Sequence, residues 1–387
     1  MRLGFFRKLT SGFALGANFL VILFFLLSCF TPHLDPARWW FTGFLGLLFP
    51  FLLAALLGFF LFWLFIRPRK SLFSLAALLI GFQNISTTLA LRKASPFPAV
   101  KDSHDLRVMS WNVRYFVPFE LAKFNSGAET SMPELLEEIK TYQPDIICFQ
   151  EFFNNGEDKE KNAIEIFTRE LGYAHYYFSR DQVHWKTIVS GTAIFSKHPV
   201  IRSHKISFPD EISEGMESTL ITDIAKGRDT FRVATFHLQS FRFMPRDYQG
   251  FGKIKNQQDT GLSESRKILQ KMRNTFYLHG KQSDYILTAI PESPYPLIMT
   301  GDLNDVPNSY AYLTLRGRRK DAFLEKGSGI GKTYTSPNSR FLGKLPTLRI
   351  DYIFTDPGFE VRGFHRINKP ISDHYGLVAD LKFPKKG

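Results

Sequence analysis

Three long apolar runs occupy the first 92 residues, and shorter apolar runs alternate with polar stretches in the rest of the chain. The long runs cover about 10–30, 41–66 and 71–91. Each reaches the roughly 20 residues that a helix needs to cross about 30 Å of hydrocarbon. Amide and hydroxyl residues crowd the second half of the third run, which could instead lie at the membrane interface. The pattern predicts a three-helix transmembrane region over 1–92.

Beyond a short proline-containing linker at 93–104, strand and helix patterns alternate to the end of the chain. Helical spacing of apolar residues follows a capping-box pattern at Ser131–Glu134, and a second helix is predicted over Glu264–Leu278. One large domain over 105–387, with a two-layered β core and outer helices, is the simplest interpretation. Strands are predicted at Leu106–Val113, Asp145–Glu151, Gly191–Ser196, Phe231–Leu238, Leu297–Thr300, Arg349–Thr355 and Gly376–Phe383.

Composition narrows the class of protein. The formal net charge of +13 first suggests a nucleic-acid partner. Residues 1–92 hold eight basic residues and one acidic residue, so more than half of that charge flanks the apolar runs. The two cysteines exclude a disulfide framework, and the 40 phenylalanines exclude a disordered chain. The composition therefore fits a protein with a mildly basic domain attached to a membrane region.

The basic residues predict an orientation, because short cytoplasmic loops of membrane proteins are enriched in Lys and Arg. One basic cluster precedes the first apolar run and another separates the second run from the third. If all three runs span, the domain after residue 92 lies outside the cytoplasm, on the periplasmic side; if the third does not, the domain is cytoplasmic. We predict a multi-pass protein with an extracytoplasmic domain. The clusters are Arg2, Arg7 and Lys8, and Arg67, Arg69 and Lys70.

Polar residues recur at six predicted strand ends within this domain. A single Asp or Asn there is more often a turn residue, and a single His in an apolar strand is more often a core residue. Together they are more informative, because buried carboxylates need a cation or a mutual partner. The residues are Asn112, Glu151, His237, Asp302 with Asn304, Asp351, and Asp373 with His374.

The residue types indicate a hard cation. Carboxylate and amide oxygens without a cysteine cluster favour Mg2+ or Mn2+ over zinc. His237 and His374 lack the spacing of a helical zinc site and fit better as hydrogen-bond donors to phosphoryl oxygens. Asp351 or Asp373 could hold one of these histidines in a fixed orientation.

In order and spacing, these motifs closely resemble the endonuclease/exonuclease/phosphatase superfamily over residues 105–383. The resemblance implies an α/β fold, a four-layered α/β/β/α sandwich with the site at one edge of two packed sheets. The motifs are Ser110-Trp-Asn112, Asp145-Ile-Ile-Cys-Phe-Gln-Glu151, Gly191-Thr-Ala-Ile-Phe-Ser196, His237-Leu238, Gly301-Asp-Leu-Asn304, Arg349-Ile-Asp351 and Ser372-Asp-His374.

The same resemblance assigns roles by position. Glu151 is expected to bind Mg2+, with Asn112 beside it and Asp373 as a second metal contact. Asp302 is expected to orient or deprotonate the attacking water, and Asn304 to contact the phosphate. His237 and His374 are expected to stabilise the transition state. Asp351 is expected to orient His374.

The sequence differs from familiar members of the superfamily at two places. The pair before His237, often Asn-Thr, is Thr235-Phe236 here. An apparent insertion at 239–262 interleaves aromatic and basic residues, which could bind a nucleic-acid backbone, press into anionic lipid, or form an ordinary solvated loop. Its candidate substrate-binding residues are Arg242, Arg246, Lys253 and Lys255.

The sequence therefore predicts a membrane-anchored, Mg2+-dependent phosphodiester hydrolase, with a bilayer around its N-terminal helices. Nucleic acid and a phospholipid headgroup are both open as substrates, and no protein partner is predicted. The alternative is a catalytically inactive, membrane-tethered binding or scaffold module of the same fold. The presence of every expected site residue favours the enzyme.

Overall fold

The computed structural model describes residues 2–117, 130–158, 162–185, 187–213, 215, 217–258, 262–335 and 346–384. Its helices are α1 (Arg2–Cys29), α2 (Phe41–Ile66), α3 (Pro68–Ile80), α4 (Phe82–Thr88), α5 (Met132–Tyr142), α6 (Ala163–Glu165), α7 (Pro245–Lys255), α8 (Ser263–Ala289), α9 (Tyr310–Arg316) and α10 (Ala322–Lys326). Its strands are β1 (Leu106–Asn112), β2 (Ile146–Asn155), β3 (His175–Phe178), β4 (Gln182–Trp185), β5 (Ile188–Ser196), β6 (Val200–Ser207), β7 (Ser218–Lys226), β8 (Asp229–His237), β9 (Leu297–Asp302), β10 (Lys320–Asp321), β11 (Asp351–Thr355), β12 (Glu360–Ile367) and β13 (Gly376–Lys382).

The strands form two mixed sheets that pack face to face. Within the described residues, the first sheet has the order β12-β13-β1-β2-β5-β3, with β4 also paired to β5. The second has the order β10-β11-β9-β8-β7-β6. In each sheet one parallel pair lies near the centre, β1 with β2 and β8 with β9. Helices flank both sheets, which confirms the predicted α/β/β/α sandwich.

Alternating side chains build the layers, because successive residues of a strand point to opposite faces of its sheet. Val108 and Ile146 join the apolar cluster between the sheets, together with Val233 and Ile298 from the second sheet. Their neighbours along the chain pack against the outer helices; Trp111, for example, lies in the cluster that includes α5. The central strands are therefore buried on both faces, which explains their nearly continuous apolar sequence.

The predicted elements have the right type but shifted bounds. Helix α8 runs 11 residues past the predicted end at Leu278, to Ala289. Ser131 makes no side-chain cap, so the predicted capping box is absent there, and the Thr130 hydroxyl instead accepts from the Met132 N–H. Strand β6 was not predicted because it is largely exposed and its sequence is polar.

Two N-terminal helices, α1 and α2, are apolar and long enough to span a membrane. In the region of the third predicted helix, the structure has α3 and α4, which meet at Gly81 with a bend of 63°. A Cβ on Gly81 would lie 2.6 Å from the Phe25 ring, so the glycine permits close packing of the bend on α1. If α3 and α4 together are counted as one broken membrane span, they form a third candidate span.

The bent pair runs alongside α1 in the same direction. Lys70 donates to the Ser11 hydroxyl, Ser74 donates to Asn18, and Asn84 donates to the carbonyl oxygen of Cys29. The pair therefore ends beside the C-terminal end of α1.

That end of the helical region contacts the sandwich through Asn308. The Asn308 amide donates to the carbonyl oxygen of Ser28 at 2.9 Å and to the Thr31 hydroxyl at 3.2 Å. Its side-chain oxygen accepts from Asn84 at 2.8 Å, and its main-chain oxygen accepts from Thr31 at 2.9 Å. Because Asn308 follows β9 by six residues, the N-terminal helices are bonded directly to the loop that leaves this strand.

Replacing Asn308 with alanine is expected to lower the free energy of unfolding of the full chain by about 1–3 kcal/mol. The substitution leaves buried amide and hydroxyl partners without hydrogen bonds. Thermal unfolding in detergent micelles measures the effect, which should appear as a midpoint several degrees lower. Asn274→Ala, on an exposed position of α8, is the matched control. Equal midpoints for the two variants would contradict the proposed contribution of this contact.

Candidate active site

Strand pairing in the second sheet brings three of the predicted residues side by side. Asp302 is the last residue of β9 and pairs with His237, the last residue of β8. On its other side it pairs with Asp351, the first residue of β11. Asp302 and Asp351 are almost fully buried. Backbone register alone therefore places Asp302 between His237 and Asp351 at one edge of the sheet.

The first sheet contributes Asn112 and Glu151 to the same edge. The Asn112 amide donates to Glu151 Oε1 at 3.3 Å and to Asp302 Oδ2 at 3.1 Å, and so joins the two sheets. The pairing of β2 with β5 shifts register across Glu151, whose φ is 50°. Such a bulge redirects a side chain, and left-handed backbone at a glutamate is a strained conformation that often marks a functional site.

A loop before β13 supplies Asp373 and His374. The Ser372 hydroxyl donates to the carbonyl oxygen of Asn112 at 2.8 Å, and the Trp111 indole donates to the carbonyl oxygen of His374 at 2.9 Å. Both contacts attach the loop to the end of β1. The Arg114 guanidinium lies 3.8 Å from Asp373, whose side chain is partly exposed.

The two histidines differ in charge. His374 Nδ1 lies 2.9 Å from Asp351 Oδ2, and its Nε2 lies 3.6 Å from Asp302 Oδ2. Burial lowers the pKa of His374, but the two carboxylates outweigh burial and raise that pKa well above its ordinary value. For His237, burial and the nearby His374 lower the pKa to about 3. His374 is therefore an imidazolium near neutral pH, and His237 is neutral.

Negative charge exceeds positive charge in the cluster. Burial, and then Asp373, raise the pKa of Glu151 to about 7. Burial, and then Asp351, raise the pKa of Asp302 to about 8. Within the described residues, His237 Nε2 is buried without a hydrogen-bond partner, 3.8 Å from both Glu151 and Asp302. Clustered carboxyl groups whose pKa values are raised in this way fit a hard divalent cation.

Two groups of residues could hold such a cation. Ligand atoms of Asp302, Asp351 and His374 lie within 4.8 Å of one another. Asp351 already engages His374 Nδ1, however, and the raised pKa of His374 keeps a proton on Nε2, which makes that nitrogen a donor rather than a ligand. Glu151 and Asp373 are the second candidate group, because Asp373 lies near enough to Glu151 to raise its pKa.

Asn304 occupies the turn after β9. Its φ is 51°, a left-handed conformation that asparagine tolerates. Its main-chain N–H donates to Asp302 Oδ1 at 2.7 Å, and its side chain donates to the carbonyl oxygen of Leu238 at 3.0 Å. Asn304 therefore orients Asp302 and ties the β9 turn to the residue after His237.

The predicted basic residues are not part of the carboxylate cluster. Arg242 forms an ion pair with Glu217 at 2.5 Å, although it lies near enough to His237 to lower its pKa. Arg246 and Lys253 are exposed on α7. Lys255 ends α7, and its side chain lies outside the described residues.

Supporting residues escaped sequence reasoning. The Gln150 amide donates to the Thr235 hydroxyl at 2.9 Å, so the unusual Thr235 supplies a polar link between the sheets. Tyr115 lines a narrow cavity beside Glu151 and His237. The Thr333 hydroxyl accepts from the main-chain N–H of Asp351. Of these supporting residues, only Gln150 lies in a motif that the sequence revealed, next to Glu151. The other residues could not be found from the sequence, because their contacts join segments far apart in the chain.

The fold and this arrangement of acidic, amide and imidazole groups define a hydrolase-like active site at a sheet edge. The Endonuclease/Exonuclease/phosphatase family model matches residues 109–374. The chain therefore belongs to this family, whose members are generally hydrolases of phosphoester bonds. A second model, a domain of unknown function (DUF8431), matches residues 10–88. No curated protein matches the sequence.

Solved structures share the fold. An endonuclease/exonuclease/phosphatase from Beutenbergia cavernae DSM 12333 is 21% identical, with a TM-score of 0.52 over 73% of this chain and 72% of its own. The human Nocturnin catalytic domain with bound sulfate is 21% identical, with a TM-score of 0.47 over 73% and 96%. D. rerio TDP2 complexed with single strand DNA product is 19% identical, with a TM-score of 0.46 over 72% and 99%.

Substituting Gly301 with alanine is expected to disrupt the junction of β8 and β9. Its φ is 140°, and a Cβ there would lie 2.0 Å from the carbonyl oxygen of Phe236. The strands would have to separate where His237 and Asp302 pair, at a cost of about 1–3 kcal/mol or more. Thermal unfolding in micelles measures this cost.

Gly227→Ala is the matched control, because Gly227 also has positive φ but a Cβ there meets no atom within 4 Å. The control isolates the cost of left-handed backbone. If both variants lose the same stability, steric contact with β8 is not the reason for a glycine at 301.

Proposed function

We propose that the protein is a membrane-anchored, divalent-metal-dependent phosphodiester hydrolase. The observation that carries the proposal is the cluster of four carboxyl groups, Glu151, Asp302, Asp351 and Asp373, around one imidazolium, His374. An inactive scaffold has no need of such a costly charge arrangement. Mg2+ is the proposed ion, with Mn2+ as a substitute, and the substrate is a nucleic acid or a phospholipid headgroup.

Each residue has a role that follows from its position. Glu151 and Asp373 would hold the ion beside Asn112, and the bound ion would neutralise charge that develops on the phosphoryl oxygens. Asp302 accepts a proton from the attacking water or orients it, since its raised pKa makes it a better base than an ordinary aspartate.

The histidines face the same region. His374, held by Asp351, donates a charge-assisted hydrogen bond to the phosphoryl group, and neutral His237 donates a second one. Asn304 contacts the phosphate or holds Asp302 in its orientation.

The proposed topology has three crossings and an extracytoplasmic catalytic domain. The α3–α4 pair runs from Lys70 beside the start of α1 to Asn84 beside its end, which supports counting the pair as one span. Asn308 of the sandwich bonds to that same end, opposite the basic segment at 67–70. By the positive-inside rule, the basic segment faces the cytoplasm and the sandwich faces away from it.

Purified full-length protein should hydrolyse bis-p-nitrophenyl phosphate with Mg2+, and EDTA should abolish turnover. Asp302→Ala and His374→Ala should each lower kcat by about 10²–10⁴-fold, since each removes proton transfer or charge stabilisation. Asp210→Ala and His104→Ala, at exposed positions, are the matched controls and should keep full activity. Turnover that survives both site substitutions, or that ignores EDTA, would contradict the proposal.

Reporter fusions test the topology. Alkaline phosphatase, which is active only after export, should be inactive when fused after Lys70 and active when fused after Lys93 or at the C-terminus. A fluorescent protein that matures only in the cytoplasm should give the opposite pattern. A cytoplasmic signal from the C-terminal fusion would mean that the α3–α4 pair does not cross.

A further inference from the structure

One face of the N-terminal part of α8 is exposed and alternates apolar with basic side chains. Leu262 directly precedes α8, and the four members within the helix are spaced by three, four and four residues, which places those four on a single helical face. Leu262 is 56% exposed, Leu269 48% and Tyr277 40%. Arg266 and Arg273 are also exposed. We call Leu262, Arg266, Leu269, Arg273 and Tyr277 the α8 stripe.

The α8 stripe is continuous with the start of the second candidate span. Phe276, next to Tyr277, packs against Gly43 and lies 5.2 Å from the Phe44 ring. The Arg273 guanidinium lies 5.5 Å from the Trp40 ring, which is itself largely exposed. Tryptophans at a helix start are typical of the membrane–water interface. The middle of α8 is therefore level with the point where α2 enters the bilayer.

The segment around the α8 stripe is strongly basic. Residues 241–277 contain eight Lys and Arg against three Asp and Glu. Some of these cations are paired, such as Lys271 with Asp247 and Lys267 with Glu264. In the described part of the chain, Arg266 and Arg273 form no ion pair. Exposed arginines between exposed leucines fit a headgroup layer, where the guanidinium meets phosphate and the apolar side chain enters the acyl boundary.

The aromatic residues nearby do not favour a nucleic-acid surface. Single-stranded nucleic acid binds through exposed rings on which bases can stack. Phe241 stacks on Phe243 with ring centroids 5.6 Å apart, and Phe243 contacts Phe251 at 5.2 Å. Phe276 is buried. Phe241, Phe243 and Phe251 pack on one another and are at most partly exposed, and the exposed ring of the α8 stripe is Tyr277.

We propose that the α8 stripe rests on the anionic lipid surface of the leaflet in which α2 begins. The inference depends on the membrane placement of the proposed function but not on its catalytic chemistry. It also has a consequence for the site, because α8 carries His279. The ring nitrogens of His279 lie 2.7 Å from the carbonyl oxygen of Gln239 and 3.3 Å from Asp305. Through His279, helix α8 thus supports the loop that follows His237 and the loop that follows Asp302.

Fluorescence quenching tests the proposal on the full chain in lipid nanodiscs. Cys29 and Cys148 are replaced by alanine, and a single cysteine at Leu269 carries an environment-sensitive dye. The discs contain phosphatidylglycerol, phosphatidylcholine and a nitroxide-labelled lipid. The Leu269 probe should be quenched at least twofold more than a probe at Ile201, an apolar position on β6 that is slightly more exposed than Leu269. A probe at Leu262 gives a second reading of the same face.

Charge reversal and competition complete the test. Arg266→Glu with Arg273→Glu should reduce quenching at Leu269 by at least half, and so should replacing phosphatidylglycerol with phosphatidylcholine. Quenching no stronger than at Ile201 would overturn the proposal. So would protection of the Leu269 probe by a DNA oligonucleotide in place of lipid, which would make the stripe a nucleic-acid surface. The test measures quenching and not turnover. A failure of the membrane-surface proposal can therefore be distinguished from a lack of hydrolytic activity.

Discussion

Repulsion between buried carboxylates at one sheet edge is the constraint on which this structure depends. Register places Asp302 beside Asp351, and Asn112 joins Asp302 to Glu151 of the other sheet. Burial, and then Asp373, raise the pKa of Glu151, and burial, and then Asp351, raise the pKa of Asp302. Folding the sandwich without a cation therefore costs free energy, because a carboxylate with a raised folded-state pKa is destabilising above its unfolded pKa. A divalent ion and the His374 imidazolium are the natural compensation.

Holding these groups together requires support from distant parts of the chain. Asn304 binds Asp302 and the carbonyl oxygen of Leu238, and His279 on α8 spans the loops beyond β8 and β9. Asn308, four residues past Asn304, is bonded to the ends of the N-terminal helices. The N-terminal helices and the candidate active site are thus joined by hydrogen bonds. In this account the N-terminal helices help to position the site.

The apolar signal of the central strands, which are buried on both faces, predicted a two-layered β core with outer helices. The four-layered sandwich and the roles of the site residues came from the family resemblance of the motifs. Local sequence patterns could not predict that α3 and α4 bend at Gly81, since the bend depends on the Phe25 ring of another helix. They also missed the Gln150–Thr235 link between the sheets. The stripe on α8 escaped notice for a similar reason, because its meaning comes from the contact of Arg273 with Trp40.

Mg2+-dependent stability of the full chain tests the carboxylate account most directly. At pH 8, above the Glu151 pKa of about 7, Mg2+ should raise the thermal midpoint of the wild-type protein. Glu151→Gln should be more stable than the wild type without metal, because it removes one repelling charge, and should respond little to Mg2+. A wild-type midpoint that ignores Mg2+, or a variant that responds as strongly as the wild type, would contradict the account.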